Sequence, residues 1–172
     1  QNGLGLCYYN GYGVEQDYAK AVEYFSKAAE CSHVESYHYL GECYYNGYGL
    51  EQNYEKAVGY YQKSAERGYM LSQRNLGRCY ENGKGVKQNY YISKEWYLES
   101  AEQNDAESQF ILGNYYYEGK GVGKDYDVAV EWYSKAAVLG HAMAQNILGV
   151  CYAEGRGVNQ VDDNKAVEWY QK

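Results

Sequence analysis

Residues 40–50 read Leu40-Gly41-Glu42-Cys43-Tyr44-Tyr45-Asn46-Gly47-Tyr48-Gly49-Leu50, and variants of this string occur five times along the chain. Leu-Gly starts at Leu4, Leu40, Leu76, Leu112 and Leu148, a constant step of 36 residues. A tyrosine stands four positions after each Leu: Tyr8, Tyr44, Tyr80, Tyr116, Tyr152. Gly-x-Gly follows from the seventh position (Gly11/Gly13, Gly47/Gly49, Gly83/Gly85, Gly119/Gly121, Gly155/Gly157), then an aliphatic residue. Recurrence at one fixed period marks a solenoid of supersecondary units.

Within one unit the pattern reads helix, turn, helix. Tyr37, Leu40, Cys43 and Tyr44 are spaced by three and four, so they share one face of an amphipathic helix. Gly47 stands just past it, where glycine takes the left-handed cap conformation at little cost. An Asp or Asn opens the second helix each time (Asp17, Asn53, Asn89, Asp125, Asp162); such an N-cap satisfies an orphan amide and contributes about 0.5–2 kcal/mol. Lys27, Lys63, Lys135 and Lys172 fall near its far end, where a cation suits the dipole. The closing slot holds Ser32, Gly68, Asn104 and Gly140. The expected fold is all-α, a right-handed α/α superhelical solenoid of five such units, about 1–32, 33–68, 69–104, 105–140 and 141–172, the first and last truncated. The chain opens at Gln1 in mid-pattern, without an initiator Met or a signal-like segment, so a single repeat domain cut from a longer solenoid is expected.

Composition supports a folded chain and narrows the partners. Of 172 residues, 45% are hydrophobic and 23% charged, enough for a core and unlike a disordered segment. A net charge of −7 argues against a phosphate-binding footprint, hence against nucleic acid. The apolar runs are only a few residues long, far short of the ~20 that a membrane helix needs.

The string Leu-Gly-x-x-Tyr-x-x-Gly-x-Gly-Val, followed by Asp-x-x-Lys-Ala-x-x-Trp-Tyr-x-Lys-Ala-Ala, resembles the Sel-one-like repeat (SLR) family, relatives of the tetratricopeptide repeats. Unit four carries it most fully, from Ala106 through Leu112-Gly113, Gly119-Lys120-Gly121-Val122, Asp125, Ala129 and Trp132-Tyr133 to Ala136-Ala137. The 36-residue period and the Gly-x-Gly turn favour this branch over tetratricopeptide repeats proper, whose period is about 34. Unit three departs at Ile92-Ser93, and unit five inserts one residue before Asp162. The resemblance implies an α/α superhelix and an adaptor role in protein assemblies. It supplies no catalytic residue and no cofactor.

Catalytic and metal signatures are weak. The Gly-x-Gly turns follow helices, whereas a phosphate loop follows a strand, so they read as structural turns. Cys7, Cys43, Cys79 and Cys151 share one slot, with Tyr115 in the remaining unit. Helices packed ~8–10 Å apart hold such thiols too far apart for a disulfide, which needs Cα atoms within ~7 Å. Five free thiols, Cys31 included, lean toward a reducing compartment. His33 and His141 occupy one linker slot and read as structural. Glu35, His38 and Glu42 could share a helix face as metal ligands or acid–base groups, but di-metal carboxylate bundles need that motif twice. Arg74 and Arg78 in the next unit favour ion pairing with Glu42 or Glu35 instead.

Core slots counted from each Leu are 0, +3 and +4, so slots −2, +2 and +5 point about 140–200° away at ~100° per residue. If first helices line the concave side, these slots form its floor: Leu6 and Tyr9; His38, Glu42 and Tyr45; Arg74, Arg78 and Glu81; Phe110, Asn114 and Tyr117; Asn146, Val150 and Ala153. They vary while core slots repeat, and they are rich in aromatics and Arg, the residue types of binding hot spots. The expected function is a non-enzymatic protein–protein interaction scaffold that binds a peptide or protein through Tyr9, His38, Glu42, Tyr45, Arg74, Arg78, Phe110, Asn114 and Tyr117. The rivals are a metal-dependent enzyme or small-molecule binder built on Glu35/His38/Glu42, and a passive spacer between flanking domains.

Overall fold

The computed structural model describes residues 1–171; the Lys172 end-of-helix cation lies outside them. Among the described residues there are ten α-helices and no strand. The chain divides into two compact halves, Gln1–Gln88 and Asn89–Lys172.

The first half holds α1 (Asn2–Asn10), α2 (Tyr18–Glu30), α3 (Val34–Asn46), α4 (Tyr54–Ala65) and α5 (Met70–Asn82), each packed against the next. The second half holds α6 (Tyr90–Ala101), α7 (Ala106–Glu118), α8 (Tyr126–Val138), α9 (Ala142–Glu154) and α10 (Asp163–Tyr170), packed the same way. Odd-numbered helices carry the Leu-Gly motif and even-numbered ones the aromatic pair.

The punctuation falls where the sequence puts it. Asp17, Asn53, Asn89, Asp125 and Asp162 each accept a hydrogen bond from a backbone N–H of the first turn they open. Ser32, Gly68, Asn104 and Gly140 all take positive φ after the even helices. At the end of α3, Gly47 sits at φ 76°, and the amides of Gly47 and Tyr48 both bond back to the Cys43 carbonyl. A side chain there would strain the backbone.

Two glycine positions are set by close approach. A methyl on Gly41 would overlap the Tyr61 ring, so Leu-Gly provides the notch into which the second helix inserts its aromatic. Phe25 fills the same notch over Gly5, Tyr133 over Gly113 and Tyr170 over Gly149. The second glycine of the turn abuts the preceding repeat: Gly85 lies against the Tyr54 carbonyl, and Gly157 against that of Tyr126.

The buried clusters run across repeat junctions. Ala21, Phe25, Leu40 and Cys43 share one in the first half, and Ala129, Tyr133, Leu148 and Cys151 share one in the second. Tyr115 takes the cysteine slot in repeat four, and its phenol is 2.8 Å from the Ser93 hydroxyl of repeat three, where other repeats have Ala. The two departures noted in the sequence are thus one coupled replacement: the buried phenol needs a polar partner, and Ser93 supplies it.

Candidate functional site

The slots expected to form an open floor divide into buried and exposed members, described half by half. In the first half, Tyr9 is half-buried amid Tyr18, Phe25, Tyr39 and Tyr48, with ring centroids 5.4–6.1 Å away. Burial and then the nearby Glu42 carboxylate push its phenol above the usual range. His38 is only 5% exposed. Its Nδ1 lies 3.0 Å from Ser72 Oγ of the next repeat, and its ring is edged by Tyr39, Tyr61 and Tyr69. Burial lowers its pKa to about 4, so the imidazole is neutral. His38 is therefore a junction residue and does not present an imidazole to solvent.

Glu42 does not pair with Arg78. Its Oε1 accepts the Tyr61 hydroxyl at 2.9 Å and the Asn75 amide at 2.6 Å. Burial and Glu42 together raise the Tyr61 phenol. Glu35 accepts from Asn2 at 2.7 Å. The three residues of the Glu35/His38/Glu42 cluster thus have separate partners, and among the described residues no group of three or more His, Cys, Asp or Glu is placed to hold a metal ion.

Arg78 is exposed and its guanidinium lies 5.1 Å over the Tyr45 ring. Lys84, from the following turn, is 5.2 Å from the same ring and 5.1 Å from Tyr54, which meets Tyr45 edge-on. Arg74, one turn before Arg78, is half-buried, and its charge helps keep His38 neutral. Of the sequence-expected residues of this half, Arg78 is exposed, Tyr9, Glu42, Tyr45 and Arg74 are half-buried, and His38 is buried.

In the second half, Phe110 is 7% exposed and stacks on His141 at 4.4 Å, so it too is a junction residue. Asn114 Oδ1 accepts the Tyr133 hydroxyl at 2.8 Å, as Glu42 does for Tyr61. Slot +2, expected to face outward, here turns toward the tip of the second-helix tyrosine. Tyr117 is half-buried against Tyr126 and accepts a hydrogen bond from Arg156 of the next turn.

Sequence reasoning overlooked two recurrent devices. The residue three before Leu ties each first helix to the preceding one: Gln73, Gln109 and Gln145 donate to the carbonyls of Ala65, Ala101 and Ala137, and the Tyr37 hydroxyl donates to Ala29. Its signal was the Gln recurring at the 36-residue period. The second device is a clasp in which the middle residue of each Gly-x-Gly turn reaches back over the preceding repeat: Tyr48 on Tyr18, Lys84 on Tyr54, Lys120 on Tyr90, and Arg156 on Tyr117.

All five cysteines are free: Cys31 exposed, Cys7 half-buried, and Cys43, Cys79 and Cys151 buried. Burial pushes the Cys43 thiol up to about 12 and Cys79 to about 11, leaving both protonated and inert as nucleophiles. No helix among the described residues is long and apolar enough to cross a membrane.

Comparison with known proteins accounts for this arrangement. The Sel1 repeat model matches residues 1–33, 34–69, 71–105, 106–141 and 142–172. Among solved structures, the chain is similar to c5321, a protective antigen present in uropathogenic Escherichia coli strains that displays an SLR fold (35% identity, TM-score 0.96). That match covers 99% of this chain and 36% of the other, so the chain spans about a third of that protein's length. A Sel1 repeat protein of Oxalobacter formigenes is 34% identical over 99% of this chain and 67% of its own, with a TM-score of 0.90. Helicobacter pylori cysteine rich protein B is 32% identical over 81% of this chain and all of its own, with a TM-score of 0.62. None of the curated proteins compared gives a significant match. Five matched repeats over nearly the whole length, with solved α/α relatives, make this chain a member of the Sel1 repeat family, whose proteins serve in general as protein-interaction scaffolds.

Proposed function

We propose that the chain is a non-enzymatic adaptor that takes up a peptide or protein segment over the outward slots of its first helices. The supporting observation is the contrast between frame and surface. Leu-Gly, the turn glycines and the caps repeat faithfully, whereas the slots packing leaves free change charge and size from repeat to repeat. Free variation on a rigid frame is how solenoids present distinct binding surfaces. Tyr45, Arg74 and Arg78 in the first half, and Tyr117 in the second, are the contact residues of this reading. Tyr9, Glu42 and Asn114 border them, and His38 and Phe110 hold the helices that carry them. Nothing favours the metal-enzyme reading, because Glu35, His38 and Glu42 are each bound to other side chains.

The test is selection of a random peptide library on the purified chain, with the selected peptides measured by fluorescence anisotropy. Arg74→Glu with Arg78→Glu should weaken most selected peptides at least tenfold while helicity stays unchanged. Glu131→Lys, on the exposed face of α8, should leave them unaffected. Selected peptides that bind the Arg variant as tightly as wild type would move the site to the second helices.

A further inference from the structure

Three of the four clasped junctions have a tyrosine at slot +5, and they differ in charge. Beside Tyr9 the next repeat brings Glu42 and Tyr48; beside Tyr45, Arg78 and Lys84; beside Tyr117, Arg156, with the uncharged Val150 in slot +2. Arg156 has a carboxylate of its own, Glu154, at 2.8 Å, and Lys120 has Glu118 at 3.9 Å, each two residues upstream. At the equivalent position before Lys84 stands Asn82, which donates to the Arg78 carbonyl and carries no charge. Glu42, one turn back from Tyr45, is held by Tyr61 and Asn75.

The middle clasp therefore concentrates two exposed cations on one aromatic platform, Tyr45 with Tyr54, and pairs neither with a carboxylate among the described residues. In a chain of net charge −7 this is a local reversal of sign. Two cations held against one ring repel each other, and an anion that reaches both relieves that repulsion while Arg78 offers a planar fork that fits a carboxylate. Resting on the adaptor reading, we infer that Arg78, Lys84, Tyr45 and Tyr54 form an acidic-peptide site that binds a segment with adjacent Asp or Glu side chains. The rings hold both cations by cation–π contact, so little side-chain entropy is lost on binding. A long polyanion such as a nucleic acid is the less suited occupant, because the chain's net charge of −7 opposes binding beyond the two-cation spot.

The experiment uses the whole chain and a fluorescein-labelled twelve-residue probe with two adjacent Glu in a Gly/Ser/Leu background, alongside its Gln twin and a DNA oligonucleotide of equal length. The acidic probe should bind in low salt, the Gln twin and the oligonucleotide at least tenfold more weakly. Arg78→Gln with Lys84→Gln should abolish binding with unchanged helicity and melting temperature. Arg156→Gln, whose cation already has Glu154, should change it less than twofold. Lys84→Arg should keep it. Equal binding of the probe and its Gln twin, equal binding of the oligonucleotide, or equal loss on Arg156→Gln would each overturn the assignment. If no acidic probe binds while library-selected peptides still lose affinity on Arg74→Glu with Arg78→Glu, the acidic-site inference fails and the adaptor reading stands.

Discussion

Between repeats one and two, Ala21 of α2 and Cys43 of α3 share an apolar buried cluster; between repeats three and four, Ser93 of α6 and Tyr115 of α7 fill the equivalent positions and hydrogen-bond at 2.8 Å. Both junctions bury everything involved: Ala21, Cys43 and Ser93 are inaccessible and Tyr115 is 1% exposed. One solves the packing with two small side chains, the other with a large phenol and a hydroxyl that satisfies it. The difference teaches that the repeat frame does not dictate the residue at a slot. It dictates the volume and polarity of a pair drawn from neighbouring repeats, so a lapse in one repeat is read together with a lapse in the next.

The largest break in this comparison is Tyr115→Cys, which restores the usual residue but leaves the space made for a ring. It should cost about 3–5 kcal/mol, as loss of a buried aromatic does, and shift the urea midpoint accordingly. A cost under 1 kcal/mol would mean that α6 and α7 collapse freely and that the pairing is not required.

Next comes His38, which fills at the junction of repeats two and three the slot that Phe110 fills at that of four and five. Its folded-state pKa of about 4 lies below the ordinary 6.5, so the unfolded chain takes up the proton first as pH falls. The sign follows: His38's contribution is complete above about 6.5, lost between 6.5 and 4, and constant below. Roughly 3 kcal/mol should disappear across that window, at about 1.4 kcal/mol per pKa unit. His38→Phe, the residue of repeat four, should remove this part of the slope in a pH series of chemical denaturation. An identical slope in both proteins would assign the acid loss to carboxylates alone.

Ser93→Ala comes third. It takes the 2.8 Å hydroxyl contact away from a buried phenol and should cost about 1–3 kcal/mol. Adding Tyr115→Phe should recover part of that cost, because two apolar groups in place of a hydrogen-bonded pair are nearly neutral. Strict additivity of the two changes in a double-mutant cycle would show that the hydroxyls do not interact.

The frame was legible in the sequence because backbone geometry admits few residues there. A left-handed C-cap asks for Gly47, an orphan amide asks for Asn53, and a ring inserted against the helix backbone asks for Gly41. The candidate site was legible only in part. Counting ~100° per residue from Leu40 places slots −2 and +2 away from the partner helix of one pair. Within each half, however, a first helix also meets the neighbouring repeat, and that side takes His38 onto Ser72 and Phe110 onto His141. The fate of Glu42 was hidden for another reason: a buried Tyr61 hydroxyl and the Asn75 amide outcompete a guanidinium that has an aromatic face to lie on. Single-helix periodicity carries no information about either neighbour.

The smallest effect lies at the entry to the first helices, where the repeats differ again. In repeat four, Asp105 caps α7: its Oδ2 accepts from Ser108 N at 3.1 Å, from Ser108 Oγ at 2.6 Å and from Ser100 Oγ at 3.2 Å. In repeat two the same slot is His33, which makes no side-chain cap, although Ser36 waits in the position of Ser108. His33→Asp should therefore recreate the cap on α3 and raise stability by about 0.5–1 kcal/mol, read as a small rise in melting temperature. The gain should stay at the low end for two reasons. Ala28 stands where repeat three has Ser100, so the third donor is missing, and Ser36 must give up its contact with His33 and the hydrogen bond its hydroxyl donates to Asn2 Oδ1. Adding Ala28→Ser should supply that donor, provided the buried hydroxyl finds the new carboxylate. If His33→Asp is neutral alone but stabilising with Ala28→Ser, the cap of repeat four depends on its serine pair; if both variants lose stability, the entry to α3 differs from that to α7 in more than its capping residue.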